Sequence, residues 1–305
     1  MDKSALDTSP GTHDGVPVQG AAGAMAQQVW YDLILRRCGL AVRHARLPDV
    51  IETVRDEMRA RGVESEAAYY QLLGSSSDTT AEWDALMERL LNHETSFFRH
   101  PPSFEALRTH ILPELRAARA CGRSGRLNMW SAGCSTGQEA YSLAMVAMAD
   151  ETLKGDFTVW GGDISRSAIE CARRGRYGRR AALTVPEEHR LRFLRPIGIG
   201  PGAEYEIVDD LRQRVRFMAM NLVGGDAFGA NHDVIFCHNV LIYFAPSAVT
   251  QAVAFLASRL TLGGYLLLGP GEAPTERPRG LDVVHINGVR AFRRGGARSN
   301  EVRES

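Results

Sequence analysis

Residues 127–144, LNMWSAGCSTGQEAYSLA, carry the reading from which the rest of the chain is placed. Leu127, Met129 and Trp130 form a short apolar run of strand character, small residues and two glycines follow at once, and the remainder has a helical pattern. The order is strand, tight turn, helix. Gly133 and Gly137 flank Cys134, Ser135 and Thr136, so the backbone can approach a ligand and present main-chain N–H groups beside it. The loop lacks the Lys-Ser or Lys-Thr pair of a P-loop and the G-x-G-x-x-G spacing of a dinucleotide site. With Glu139 in the first helical turn and no cation nearby, it favours a ligand with a positive or hydroxyl-rich group over a pyrophosphate. The alternative is a plain strand-to-helix turn.

The chain has 305 residues, enough for one large domain or two ordinary ones, and balances 36 basic against 36 acidic residues. Nothing global therefore points to nucleic acid or anionic lipid as a partner. Five cysteines without C-x-x-C spacing fit a reducing cytoplasm, and no apolar run approaches the ~20 residues that span a bilayer. Nine histidines include no H-E-x-x-H, so no metal is expected.

Upstream of the glycine loop, residues 1–24 read as a disordered tail rich in Gly, Ala and Pro. Helical spacing begins at Trp30, Leu33 and Ile34, resumes at Val50, Ile51, Val54 and Met58, and predicts further helices over residues 66–73 and 80–91. Arg55, Arg59 and Arg61 crowd the second helix, as a solvated counter-charged face or as a docking surface for an acidic partner. The polar block NHETSFFR, residues 92–99, then breaks the pattern, and Pro101 and Pro102 precede a helix over about residues 103–117.

Downstream, residues 157–160 form a second apolar strand ended by Gly161, Gly162 and Asp163. An acid there can accept hydrogen bonds from ribose hydroxyls in a doubly wound sheet, or can cap the helix that follows. Residues 179–214 read as an excursion from the core. Strands are expected at 215–220, at 233–239 with continuation through 240–244, and at 264–268; Asn287-Gly288 joins a last hairpin of residues 283–286 and 289–292. The plan is an α/β three-layer sandwich whose last strand runs antiparallel to the rest.

The glycine loop, the acid after strand two, Asn221-Leu222 after strand three and the polar end of strand four share one rim, an arrangement that resembles a class I methyltransferase using S-adenosylmethionine. More closely, NHETSFFR, WSAGCSTGQEAYSLA, DVIFCHNVLIYF and GYLLLG together resemble the chemotaxis receptor methyltransferase family, CheR. The resemblance implies a Rossmann-like three-layer sandwich with a mostly parallel sheet over residues 101–294, an N-terminal helical domain and linker over residues 25–100, and a small β subdomain inserted at about 179–214. Residues 295–305 are left as a flexible tail. It implies transfer of a methyl group from S-adenosylmethionine to glutamate carboxylates in the coiled-coil cytoplasmic domain of a chemoreceptor, giving glutamate methyl esters and S-adenosylhomocysteine. A cytoplasmic enzyme follows, with neither nucleic acid nor membrane insertion.

Carried over by motif, Thr95 and Arg99 match the polar pair before the catalytic domain, Gly133, Thr136 and Glu139 the cofactor loop, and Asp163 the ribose acid. Asn221 and Leu222 match the adenine region, and Asn239 and Tyr243 the block closing the reacting centre. His93 and His238 join the cofactor residues by position, where the family usually has Asn and Arg. Gln138 replaces a first loop glutamate, and Gly269-Pro270-Gly271-Glu272 replaces Gly-His-Ser-Glu. Arg99 and Tyr243 are the catalytic candidates. Arg99 orients either the acceptor carboxylate or the cofactor's own, and Tyr243 contributes its hydroxyl or its ring. Two rival readings are a methyltransferase of the same fold acting on another substrate and a non-catalytic cofactor-binding scaffold.

Overall fold

The computed structural model describes residues 19–41, 47–75, 81–121, 125–153, 155–200, 202–225, 231–274 and 276–295. The tail expected over 1–24 thus lies outside the described residues up to 18, and residues 19–24 belong to the first helix instead. The expected C-terminal tail lies outside them from residue 296 onward.

Four helices come first: α1 (Gln19–Cys38), α2 (Leu47–Ala60), α3 (Glu66–Ser75) and α4 (Ala81–Leu90). Their apolar stripes close on a core of their own around Trp30, Ile34, Val54, Tyr69 and Trp83. The arginines of α2 and of the turn after it are counter-charged: Arg55 pairs with Glu66 at 3.1 Å, Arg59 with Asp56, and Arg61 with Glu57, while Arg89 of α4 reaches both Asp56 and Glu57. α5 (Pro101–Ala106) runs through one π-helical turn (Leu107–Ile111) into α6 (Leu112–Ala120).

β1 (Leu127–Ala132) leads through the glycine loop to α7 (Gln138–Ala149), β2 (Phe157–Asp163) and α8 (Arg166–Arg174), capped by the Ser165 hydroxyl on the Ala168 amide at 3.0 Å. The excursion carries β3 (Arg176–Gly178), α9 (Arg179–Ala182), α10 (Glu187–Phe193), β4 (Leu194–Ile197), β5 (Glu204–Ile207) and α11 (Asp209–Arg212). β3, β5 and β4 form a separate antiparallel sheet in that order. The chain then returns as β6 (Val215–Ala219), β7 (His232–Cys237), α12 (Pro246–Ser258), β8 (Leu260–Leu268), β9 (Leu281–Ile286) and β10 (Val289–Arg294).

The main sheet has the order β6-β2-β1-β7-β8-β10-β9, parallel from β6 to β8 and reversed at β10, which lies antiparallel to both β8 and β9. Alternation along β1 sends Leu127 and Met129 to the α7 side and Trp130 and Ala132 to the α12 side, so each sheet face has its own apolar layer. β2 carries Gly161 and Gly162 inside the strand because side chains of the β6 segment lean over it. A Cβ on Gly162 would stand 2.1 Å from the Met220 sulfur.

The expected continuation of the fourth strand through residues 240–244 does not occur. β7 ends at Cys237, Asn239 takes φ +60°, and Leu241–Tyr243 form a 3₁₀ turn. That break keeps Tyr243 at the rim instead of carrying it away along a strand.

His232 at the start of β7 is fully buried beside Trp130, and burial lowers its pKa to about 4. Since the unfolded chain binds this proton near pH 6.5 and the folded chain does not until about pH 4, stability rises with pH across that window and is lost on acidification through it. The His232→Leu variant is expected to lose roughly 3 kcal/mol less than the parent protein between pH 6.5 and 4 in urea unfolding. Parallel acid profiles for the two proteins would remove His232 as the cause.

Candidate functional site

The rim at the carboxyl ends of β1, β2, β6 and β7 opens into a cleft. A reversal of strand order between β1 and β7 places it at the topological switch point, where the loops after neighbouring strands diverge.

The glycine loop forms its floor. Gly133 and Cys134 donate their amides to the Gly162 carbonyl at 2.8 and 2.9 Å, tying the loop to the end of β2. Gly133 takes φ +79°, and a Cβ there would meet Val240 Cγ2 at 2.3 Å. No other residue type fits that turn without displacing the neighbouring rim.

Asp163 closes the end of β2. Its Oδ2 accepts from the Ser135 amide at 2.7 Å and its Oδ1 from the Ser165 amide at 2.9 Å. Burial raises its pKa above the usual carboxylate value, and these two donors oppose the shift. Each oxygen can accept a further hydrogen bond, and Asp163 lines the cleft.

Glu139, in the first turn of α7, lies deeper. Its Oε1 accepts from the Ser131 hydroxyl at 2.8 Å, and its Oε2 is 2.8 Å from His238 Nδ1. Asn221 is buried, donating to the Arg37 carbonyl of α1 at 2.5 Å and accepting from the Val223 amide at 3.0 Å; Leu222, Met220 and Ile164 add an apolar wall.

The N-terminal block closes the other side. Both phenylalanines anchor it: Phe97 stacks edge-on against Tyr177 with centroids 4.8 Å apart, and Phe98 is buried against Phe104. So held, His93, Thr95 and Arg99 all line the cleft. Arg99 Nη1 donates to the Glu94 carbonyl at 2.7 Å, and His93 Nε2 lies 3.3 Å from Glu88. Tyr243 stands at the mouth, its hydroxyl accepting from Asn92 Nδ2 at 3.2 Å.

Helix α1 also contributes to the wall. Leu40 bridges to Phe244, the Ala41 amide donates to the Tyr243 carbonyl at 2.8 Å, and the Ala245 amide to the Gly39 carbonyl at 2.9 Å. Cys38 and Leu40 consequently line the cleft.

Of the residues singled out in the sequence, His93, Thr95, Arg99, Gly133, Glu139, Asp163, Asn221, Leu222, His238, Asn239 and Tyr243 meet here. Thr136 does not. Its hydroxyl donates to Gln138 Oε1 at 2.8 Å and its carbonyl accepts from the Tyr177 hydroxyl at 2.8 Å, so it braces the loop from behind.

Glu272 was not among the site residues read from the sequence, where it marked only a departure in a loop. It is buried, and its carboxylate accepts the amides of Asn239 (2.6 Å), Val240 (2.7 Å) and Ile242 (3.2 Å). This carboxylate is what turns the chain after β7. Glu272→Ala leaves these three donors without it and is expected to destabilise the protein by about 2–4 kcal/mol in urea unfolding, with Glu272→Gln recovering part of the loss. A loss under 0.5 kcal/mol would contradict this.

The donor set suits S-adenosylmethionine. A half-buried acid with lone pairs to spare fits a ribose diol, a second acid fits an ammonium, and an apolar wall fits a purine. Among the described residues, no three His, Cys, Asp or Glu side chains are grouped to hold a metal, and no helix is long and apolar enough to cross a membrane.

Comparison with known proteins agrees with the fit. Residues 93–288 match the family model described as CheR methyltransferase, SAM binding domain. The chain is 31% identical over 257 residues to chemotaxis protein methyltransferase 1 of Pseudomonas aeruginosa, covering 83% of this chain and 91% of that protein. It is 28% identical over 242 residues to a probable chemotaxis protein methyltransferase of Rhizobium etli, covering 79% and 89%. Identity to the probable biofilm formation methyltransferase WspC of P. aeruginosa is 31% over 267 residues, with coverage of 86% and 60%. Because the matched span holds both the strand-turn-helix at the floor of the cleft and the rim facing it, the chain belongs to the CheR methyltransferase family and is an S-adenosylmethionine-dependent enzyme.

Proposed function

We propose that this enzyme, which by family methylates chemoreceptor glutamates, takes its acceptor from the coiled-coil cytoplasmic domain of a chemoreceptor or receptor-like signalling protein, and that Arg99 and Tyr243 receive the acceptor side chain. One observation carries the reading: Arg99 and Tyr243, far apart in sequence, flank the same cleft, whose interior holds Asp163 and Glu139.

S-adenosylmethionine, when bound, supplies a methyl group activated on a sulfonium. Asp163 accepts hydrogen bonds from the ribose hydroxyls, Glu139 faces the ammonium, and Asn221 and Leu222 border the adenine. The acceptor glutamate, with a reference pKa of ~4.3, is already ionised at neutral pH, so no side chain need remove a proton. What the protein must do is aim the carboxylate and exclude water. The bond from Arg99 to the Glu94 carbonyl fixes the guanidinium and leaves further N–H donors, enough for two parallel bonds to a carboxylate. Tyr243, tethered through its hydroxyl to Asn92, presents its ring along the approach.

The test is incubation with methyl-labelled cofactor and purified receptor cytoplasmic fragments. Base-labile label on receptor glutamates is expected. Label on nucleic acid or on a small molecule instead, or cofactor binding without turnover on any fragment, would overturn the reading.

A further inference from the structure

Behind the cleft, four side chains drawn from the start of α7, the end of β7 and the start of α5 form one hydrogen-bonded row. Glu139 Oε2 on α7 is 2.8 Å from His238 Nδ1 after β7, His238 Nε2 is 3.3 Å from the Ser103 hydroxyl on α5, and that hydroxyl is 2.7 Å from His100 Nδ1. Ser103 is fully buried and the His238 side chain is only 3% exposed. Burial, with the neighbouring His238, lowers the pKa of His100. Both ring nitrogens of His238 are therefore engaged by protein groups, although the residue borders the cleft.

We propose that His238 is a positioning residue: it holds the Glu139 carboxylate in the rotamer that meets the cofactor's ammonium, and Ser103 and His100 fix its ring. The inference rests on the function proposed above. The contacts admit an assignment that satisfies every member of the row. His100 Nδ1–H donates to the Ser103 oxygen, the Ser103 hydroxyl donates to His238 Nε2, and His238 Nδ1–H donates to Glu139. With Ser131 donating to the other oxygen, Glu139 is held from two sides and keeps a lone pair on each oxygen. Without the His238 donor the carboxylate can rotate off the ammonium, and a charge-assisted contact is lost.

The Nδ1 and Nε2 roles separate experimentally. In His238→Asn the side-chain amide nitrogen lies near the position of Nδ1 and still donates to Glu139, whereas His238→Gln places its amide toward Ser103 and leaves Glu139 without that donor. Titration calorimetry with S-adenosylhomocysteine is expected to show binding weakened about tenfold in His238→Gln and His238→Ala, and less than threefold in His238→Asn. Thermal melting of each variant monitors the fold. Equal affinities for the Asn and Gln variants, or full affinity in His238→Ala, would overturn the positioning role. If the parent protein itself gave no heat with S-adenosylhomocysteine, the proposed cofactor roles would fall, which is a different result from a parent that binds and variants that do not differ.

Discussion

Arg99→Ala is expected to cut methyl transfer to a receptor fragment about 100-fold while leaving S-adenosylhomocysteine affinity within threefold, the scale of removing one charged contact made in the transition state. The split between the two measurements decides which carboxylate Arg99 holds. The residue is exposed at the mouth and tied by the Glu94 carbonyl, a placement that suits an acceptor arriving from solvent. Its removal leaves the buried anchors Phe97 and Phe98 in place, so the block should keep its path. Calorimetry showing a large loss of product affinity would reassign Arg99 to the cofactor's carboxylate, and a methylation assay with less than a threefold loss would remove it from the reaction.

The second large effect belongs to Asp163. Asp163→Ala is expected to weaken S-adenosylhomocysteine binding by about 100-fold or more, since two ribose hydroxyls would lose a charged acceptor at about 1.5–3 kcal/mol each. The fold has reason to survive. The variant frees the Ser135 and Ser165 amides, but it also removes a carboxylate whose ionised form burial disfavours, so the two costs partly offset. Calorimetry with the variant reads the loss directly; an affinity within fivefold of the parent, in a protein that melts normally, would dismiss the ribose role.

Much of this was legible because the chemistry sits at strand ends. A short apolar run broken by glycine marks where a strand stops, and in a parallel sheet such stops fall along one edge, so Gly133 and Asp163 could be placed together from spacing alone. Asn287-Gly288 announced the hairpin for the same local reason, and Asn287 adopts φ +50° there. What could not be read was any contact between side chains remote in sequence. DVIFCHNVLIYF is apolar enough to look like one long strand, and only the Glu272 carboxylate, from beyond β8, shows why it turns. Thr136 entered as a cofactor-loop residue through the family resemblance, yet its hydroxyl is taken up by Gln138. The row from Glu139 to His100 had no signal at all, since it joins α7, β7 and α5.

The bridge between Leu40 and Phe244 lies outside the matched span on one side and inside it on the other. The span that the family model matches is therefore not a self-sufficient vessel. Trimming a clone back to residue 93 would keep the span that the family model matches and still leave the hollow unsealed beside Tyr243, so the end of α1 and the residues just after it serve as a side wall of the reaction chamber, not as baggage in front of it.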